Sequence, residues 1–138
     1  MTLKAERPLP PAYPNSLKTL GDHLRKKRID LKLLQKEVAQ KLGVDEASVH
    51  NWERGHTTPS LSFMPRIIKF LGYVPFEIPS GSLGEKIRAY RRIIGLSRKA
   101  LARELKIDPG TLARWERGKG RPSKELLQII ESQDHNIH

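Results

Sequence analysis

The chain has 138 residues, with 26 Lys+Arg against 15 Asp+Glu and a formal net charge of +11. That length holds one ordinary domain or two very small ones, and the basic balance favours a polyanionic partner, nucleic acid or an anionic membrane face, without favouring an acidic small molecule. Cysteine is absent, which removes disulfides, thiolate metal sites and thiol nucleophiles from consideration.

The N-terminal MTLKAERPLPPAYP carries charges and prolines where a signal peptide carries an apolar run. No stretch approaches the roughly 18 apolar residues of a membrane span. The expectation is a soluble cytoplasmic protein, nucleoid-associated when bound, with no membrane partner. Residues 1–18 read as a disordered Pro-rich arm, with Pro8, Pro10, Pro11 and Pro14.

Beyond the arm the chain repeats itself. An offset of 63 aligns Leu20 to Ser60 with Leu83 to Ser123 without a gap, matching Gly21/Gly84, Arg25/Arg88, Arg28/Arg91, Leu33/Leu96, Ala39/Ala102, Asp45/Asp108 and Trp-Glu-Arg-Gly at 52–55 and 115–118. A gapless repeat of that length points to a duplicated domain. The expected division is a first domain at 19–72, a linker at 73–82, a second domain at 83–132 and a tail at 133–138.

Each copy predicts four helices. Ser82-Leu83-Gly84-Glu85 reads as a capping box and Thr19 to Asp22 as a weaker one. The first helix carries Leu24 and Leu31, or Ile87 and Ile94, on one face. Gly95 ends it in copy two and Ser97 caps the next, whereas copy one has the poorer signals Lys32 and Leu34 there. A second helix spans about Gln35 to Leu42, a turn follows at Gly43-Val44, and Asp45 is expected to cap a third helix ending near Gly55. Asp108-Pro109 repeats the cap, with proline at a first helical position that tolerates it. The fourth helices carry Met64, Ile67, Ile68 and Leu71, then Leu126, Leu127, Ile129 and Ile130. The linker's Tyr73, Phe76 and Ile78 are too apolar for a free tether, so part of it is expected to dock on the first domain.

With Val49 set at the core and about 100° per residue, Trp52 and Glu53 turn inward, and Ala47, His50, Asn51 and Arg54 turn outward. The copy-two counterparts are Gly110, Ala113, Arg114 and Arg117. A helix exposed in this way and laid in a major groove meets base edges with its N-terminal turns. Asn51 can pair bidentately with adenine and Arg114 with guanine.

Gln35-x3-Ala39-x3-Gly43-Val44-x4-Val49, followed by Trp52-Glu53-Arg54-Gly55, resembles the helix-turn-helix of the lambda-repressor/Cro-like family, also called the xenobiotic-response-element type. The resemblance extends to the second copy, which departs at Lys106, where the turn glycine is expected, and at Arg98 in place of Gln35. It implies an all-α protein of two tandem four-helix domains joined by a short Pro-containing linker. It further implies double-stranded DNA as partner, base reading by Ala47, Ser48, Asn51, Thr111 and Arg114, and phosphate contacts from Gln35, Lys36, Arg54, Arg98, Lys99, Arg117 and Lys119. Glu53 and Glu116 correspond to the family's internal acidic residue, paired with Arg28 and Arg91.

Plainer roles compete at several of these positions. Trp52 and Trp115 are core residues; Ser48 and Thr111 also serve to cap or solvate a helix start; Glu46 is accounted for by the helix dipole. Gln35 and Arg98 have ordinary exposed polarity as their alternative, and Arg25 to Arg28 a solvated helix face. Arg7 could enter a minor groove but belongs more simply to a functionless arm, and His135 and His138 to a loose tail. No Gly-rich phosphate loop, Ser/His/Asp arrangement or metal-ligand cluster can be assembled. The expectation is a non-enzymatic, sequence-specific transcriptional regulator of repressor type, with no cofactor, metal or small-molecule ligand. The alternatives are an antitoxin-like protein or an adaptor that combines DNA binding with gripping a protein partner; a homodimer also stays open.

Overall fold

The computed structural model describes residues 13–78 and 81–129, and all regular structure among them is helical. The order is α1 (Leu20–Asp30), α2 (Gln35–Leu42), α3 (Glu46–Arg54), a 3-10 turn (Leu61–Phe63), α4 (Met64–Leu71), α5 (Leu83–Ile94), α6 (Arg98–Leu105) and α7 (Pro109–Glu116). A last helical stretch, α8, occupies 124–129. Ile130, the tail and most of the N-terminal arm, including Arg7, lie outside the described residues.

The chain divides into two compact units between Thr58 and Pro59. In the first, α3 packs on both α1 and α2, and Leu24, Val38, Ala39, Leu42, Val49 and Trp52 are buried. In the second, α7 packs on α5 and α6 around Ile87, Leu101, Ala102, Leu112 and Trp115, with Leu83, Tyr90, Ile94, Leu105 and Leu126 closing the rim. Each fully buried aliphatic side chain of this kind contributes about 1.5–3 kcal/mol. The repeat assigns α4 to the first copy; it packs against α5, the first helix of the second, and buries Met64, Ile67 and Leu71.

Helix ends follow the local chemistry, with some reversals. At Thr19 both halves of the capping box form: the hydroxyl accepts from the Asp22 amide at 3.1 Å, and the Asp22 carboxylate accepts from the Thr19 amide at 3.0 Å. At Ser82 the hydroxyl accepts from the Glu85 amide at 3.2 Å, so the site expected to be weaker holds the fuller box. Asp22 is short enough to turn back on its own first turn, where it also accepts from the Lys18 amide. Asp45 stands at the N-cap of α3 without a side-chain hydrogen bond, whereas Asp108 accepts from the Gly110 amide at 2.6 Å. Leu31 lies past the end of α1, 48% exposed, and takes no part in its apolar face.

Of the left-handed positions, the two that flank the second helix are filled in each copy by one glycine and one lysine. Gly43 (φ 72°) and Lys32 (φ 58°) serve the first, Gly95 (φ 72°) and Lys106 (φ 59°) the second. A side chain in this conformation costs roughly 1–2 kcal/mol, which glycine avoids.

The linker and the end of the arm are both tied down. The Arg92 guanidinium of α5 lies 4.0 Å from the centre of the Phe76 ring, so this part of the linker docks on α5. Pro14 is buried and the Tyr13 hydroxyl donates to Asp30 Oδ1 at 3.0 Å. The arm's last residues are therefore fixed to the C-terminal end of α1.

Candidate nucleic-acid interface

The third helix of each copy has one buried and one open face. In α3, Val49, Trp52 and Glu53 are buried, Ala47, His50 and Arg54 are exposed, and Ser48 and Asn51 are half-buried. In α7, Leu112, Trp115 and Glu116 are buried, Gly110, Arg114 and Arg117 are exposed, and Thr111 and Ala113 are intermediate. The 100° spacing predicts these outward sets except that Asn51 and Ala113 are only partly exposed.

A buried acid holds each of these helices in place. Arg28 of α1 meets Glu53 bidentately, Nε to Oε2 at 2.7 Å and Nη2 to Oε1 at 2.9 Å, while its Nη1 donates to the Leu33 carbonyl at 3.2 Å. Gln35, the first residue of α2, donates to Glu53 Oε1 at 3.1 Å. One carboxylate thus ties together α1, α2 and the end of α3 through a fork-to-fork contact that leaves little rotational freedom. Copy two repeats the design: Arg91 donates to Glu116 at 2.8 and 3.2 Å and to the Leu96 carbonyl at 3.4 Å.

The second acid carries more cations. Arg98 takes the place of Gln35 and donates to Glu116 Oε1 at 3.0 Å. Arg88 donates to the Glu116 backbone carbonyl at 3.0 Å, its Nε lying 3.6 Å from the carboxylate. Burial pushes the Glu116 carboxyl up, and the hydrogen bonds and charges of Arg91 and Arg98 outweigh it, so the group titrates below its ordinary range. In copy one Arg25, the counterpart of Arg88, turns to Asp22 at 3.8 Å.

Gly21 and Gly84 complete the frame. A Cβ at Gly21 would overlap the Trp52 carbonyl, and one at Gly84 the Glu116 carbonyl. The start of the first helix therefore rests directly on the backbone at the end of the third, an approach open only to glycine. The repeat alignment paired these glycines without revealing their purpose, since a helix crossing is a non-local fact.

Around the start of α2 and the outer face of α3 lies a shallow depression lined by Gln35, Glu46, Ala47, His50 and Asn51. It gathers three expected DNA contacts, Gln35, Ala47 and Asn51, with Lys36 exposed beside them; Arg54 is exposed at the far end of α3. One N–H of the Gln35 amide is engaged by Glu53, which leaves the second as a donor. In copy two, Lys99, Arg114, Arg117 and Lys119 are exposed, and Arg98 keeps 46% of its side chain accessible despite its ion pair. Sequence reasoning passed over His50 as a site residue, and also Arg121 and Lys124, exposed beyond α7. The signal for the last two was their alignment with Thr58 and Leu61.

A helix-turn-helix family model matches residues 24–78 and 87–133. The chain belongs to the lambda-repressor/Cro-like helix-turn-helix family. As a member of this DNA-binding family it carries two helix-turn-helix domains in tandem. Neither the curated proteins nor the solved structures gave a significant match. Among the described residues of this helix-turn-helix chain, no cluster of three or more His, Asp or Glu side chains could hold a metal, and no helix is long and apolar enough to cross a membrane.

Proposed function

We propose that the protein is a sequence-specific double-stranded DNA-binding transcriptional regulator, acting without catalysis by occluding or recruiting at its site in the cytoplasm, on the nucleoid. The observation that carries this reading is the pair of third helices, each with one face pinned by a buried Glu–Arg fork and the other open to solvent. A rigid helix of this size fits the major groove, with base edges meeting its first turns. Ala47, Ser48 and Asn51 in α3, and Thr111 and Arg114 in α7, are the base-reading set. Lys36, Arg54, Lys99, Arg117 and Lys119, with Gln35 and Arg98 flanking the buried acids, meet phosphates and fix register.

Selection of bound duplexes from a random pool gives the site, and two measurements then test the reading. With about six phosphate contacts, log affinity falls against log salt with a slope of about −5. Asn51→Ala costs about 1–3 kcal/mol on the selected duplex and little on a scrambled one. A slope near zero, or equal losses on both duplexes, overturns the assignment.

A further inference from the structure

Several differences between the two copies replace a residue without a fixed charge by a cation. At the same offset, Gln35 stands opposite Arg98, His56 opposite Lys119, Thr58 opposite Arg121 and Leu61 opposite Lys124. Each exchange places a cation in copy two where copy one has none that is permanent. In the first turn of the third helix, Glu46 and Ala47 give way to Pro109 and Gly110, which removes an acid and leaves Thr111 as the first side chain able to hydrogen-bond. Copy two has thus gained cations at the start of its second helix and after its third, and lost polar side chains in the first turn of the third.

These cations are accessible. Arg98, Arg117, Lys119, Arg121 and Lys124 are all exposed. Among the described residues only Arg98 is held by a carboxylate, and there by one guanidinium nitrogen on an acid that Arg91 already neutralises. The loop that carries three of them turns on Gly118 (φ 83°) and Gly120 (φ 76°), and a Cβ on Gly120 would lie in ordinary contact, 3.6 Å, with the Trp115 ring. The buried indole gives the loop a floor, so its charges are presented from packed structure and not from a loose tail.

We infer that the second copy binds duplex DNA chiefly through its phosphates, as a clamp formed by Arg98, Arg117, Lys119, Arg121 and Lys124, and that the first copy supplies most of the sequence discrimination. The inference rests on the DNA-binding reading above. Phosphate contacts carry affinity and salt dependence but no sequence information, and guanidinium groups match phosphate oxygens in geometry as well as charge. Discrimination needs polar side chains in the first turns of the helix in the groove, and the first turn of α7 offers almost none.

The test uses the full chain carrying Lys119→Gln, Arg121→Gln and Lys124→Gln, titrated on the selected and the scrambled duplex across a range of salt. A control carries Lys41→Gln, Lys69→Gln and Arg103→Gln, which removes the same charge from elsewhere on the surface. Loss of three phosphate contacts makes the log–log slope shallower by about 2–3. Affinity falls by the same factor on both duplexes, and their ratio stays within about twofold; the control keeps the wild-type slope. An unchanged slope in the triple variant, an equal change in the control, or a collapse of the selected-to-scrambled ratio overturns the clamp while leaving DNA binding intact. A wild-type protein with no salt-dependent binding to either duplex sinks the DNA reading itself, and the clamp with it.

Discussion

Glu53 and Glu116 do the same mechanical work in different electrostatic company. Glu53 faces one arginine and one neutral amide, so its cluster is balanced. Glu116 faces Arg88, Arg91 and Arg98, three cations for one anion. The bidentate arginine from the first helix, common to both, fixes the third helix. What was free to vary is the partner at the start of the second helix, which lies at the edge of the interface. A buried acid can therefore serve as a structural pin and also as an anchor for surplus surface charge.

The largest effect expected from this contrast is on stability. Removing one partner of a buried pair leaves an uncompensated charge, so Glu53→Ala costs about 2–4 kcal/mol through Arg28. Glu116→Ala strands three guanidinium groups facing one another, which places its cost at the upper end, about 3–5 kcal/mol. Thermal unfolding of the two full-length variants gives the order. If Glu53→Ala proves as damaging, Arg88 and Arg98 are screened by solvent and the contrast is one of geometry alone.

Acid sharpens the comparison next. Because the folded-state pKa of Glu116 lies below the ordinary carboxyl value of 4.5, its contribution is fully present above that value. It fades as pH falls through the lowered folded value. Glu116→Gln should therefore flatten the acid limb of the stability curve below pH 4.5. In the first unit the lowered carboxyls are Asp22 and Asp30, near the two ends of α1, where solvent screening weakens the linkage. Asp30→Asn should flatten the curve less, and the reverse order in denaturant titrations at stepped pH would contradict the assignment.

The smallest effect concerns the lysines in left-handed turns. Lys106→Gly relieves about 1–2 kcal/mol of backbone strain but adds about 0.5–1 kcal/mol of unfolded-chain entropy. The net gain is about 0.5 kcal/mol, with Lys32→Gly behaving alike in the first copy. Denaturation midpoints decide it, and a loss at either site means that the lysine side chain itself contributes.

Much of this was legible in the sequence because it is local or periodic. The repeat, the helix spans and the inward tryptophans follow from spacing, and the Arg28–Glu53 and Arg91–Glu116 pairs from the resemblance that the motif carries. Where Phe76 docks was not legible, because an apolar residue between two domains is attracted to either; the ring contact with Arg92 on α5 is a tertiary fact. Gln35 reads as a phosphate contact, with ordinary exposed polarity as its alternative, and its bond to Glu53, 18 residues on, is a non-local contact that the motif does not display. Asp45 has the right identity for a cap and does not make one, since identity alone does not set a side-chain rotamer.

The bare Cα atoms of Gly21 and Gly84 have a mechanical consequence. Each presses on a carbonyl in the last turn of a third helix, the same end that the Glu–Arg fork holds, so that helix is a lever clamped at its rear. In the proposed binding mode its other end, the first turn, is the part that reaches bases, and copy two begins that turn with Pro109 and Gly110. Adjustment to a bent or widened groove must therefore come from flexing at the tip, as the pivot has no slack to give.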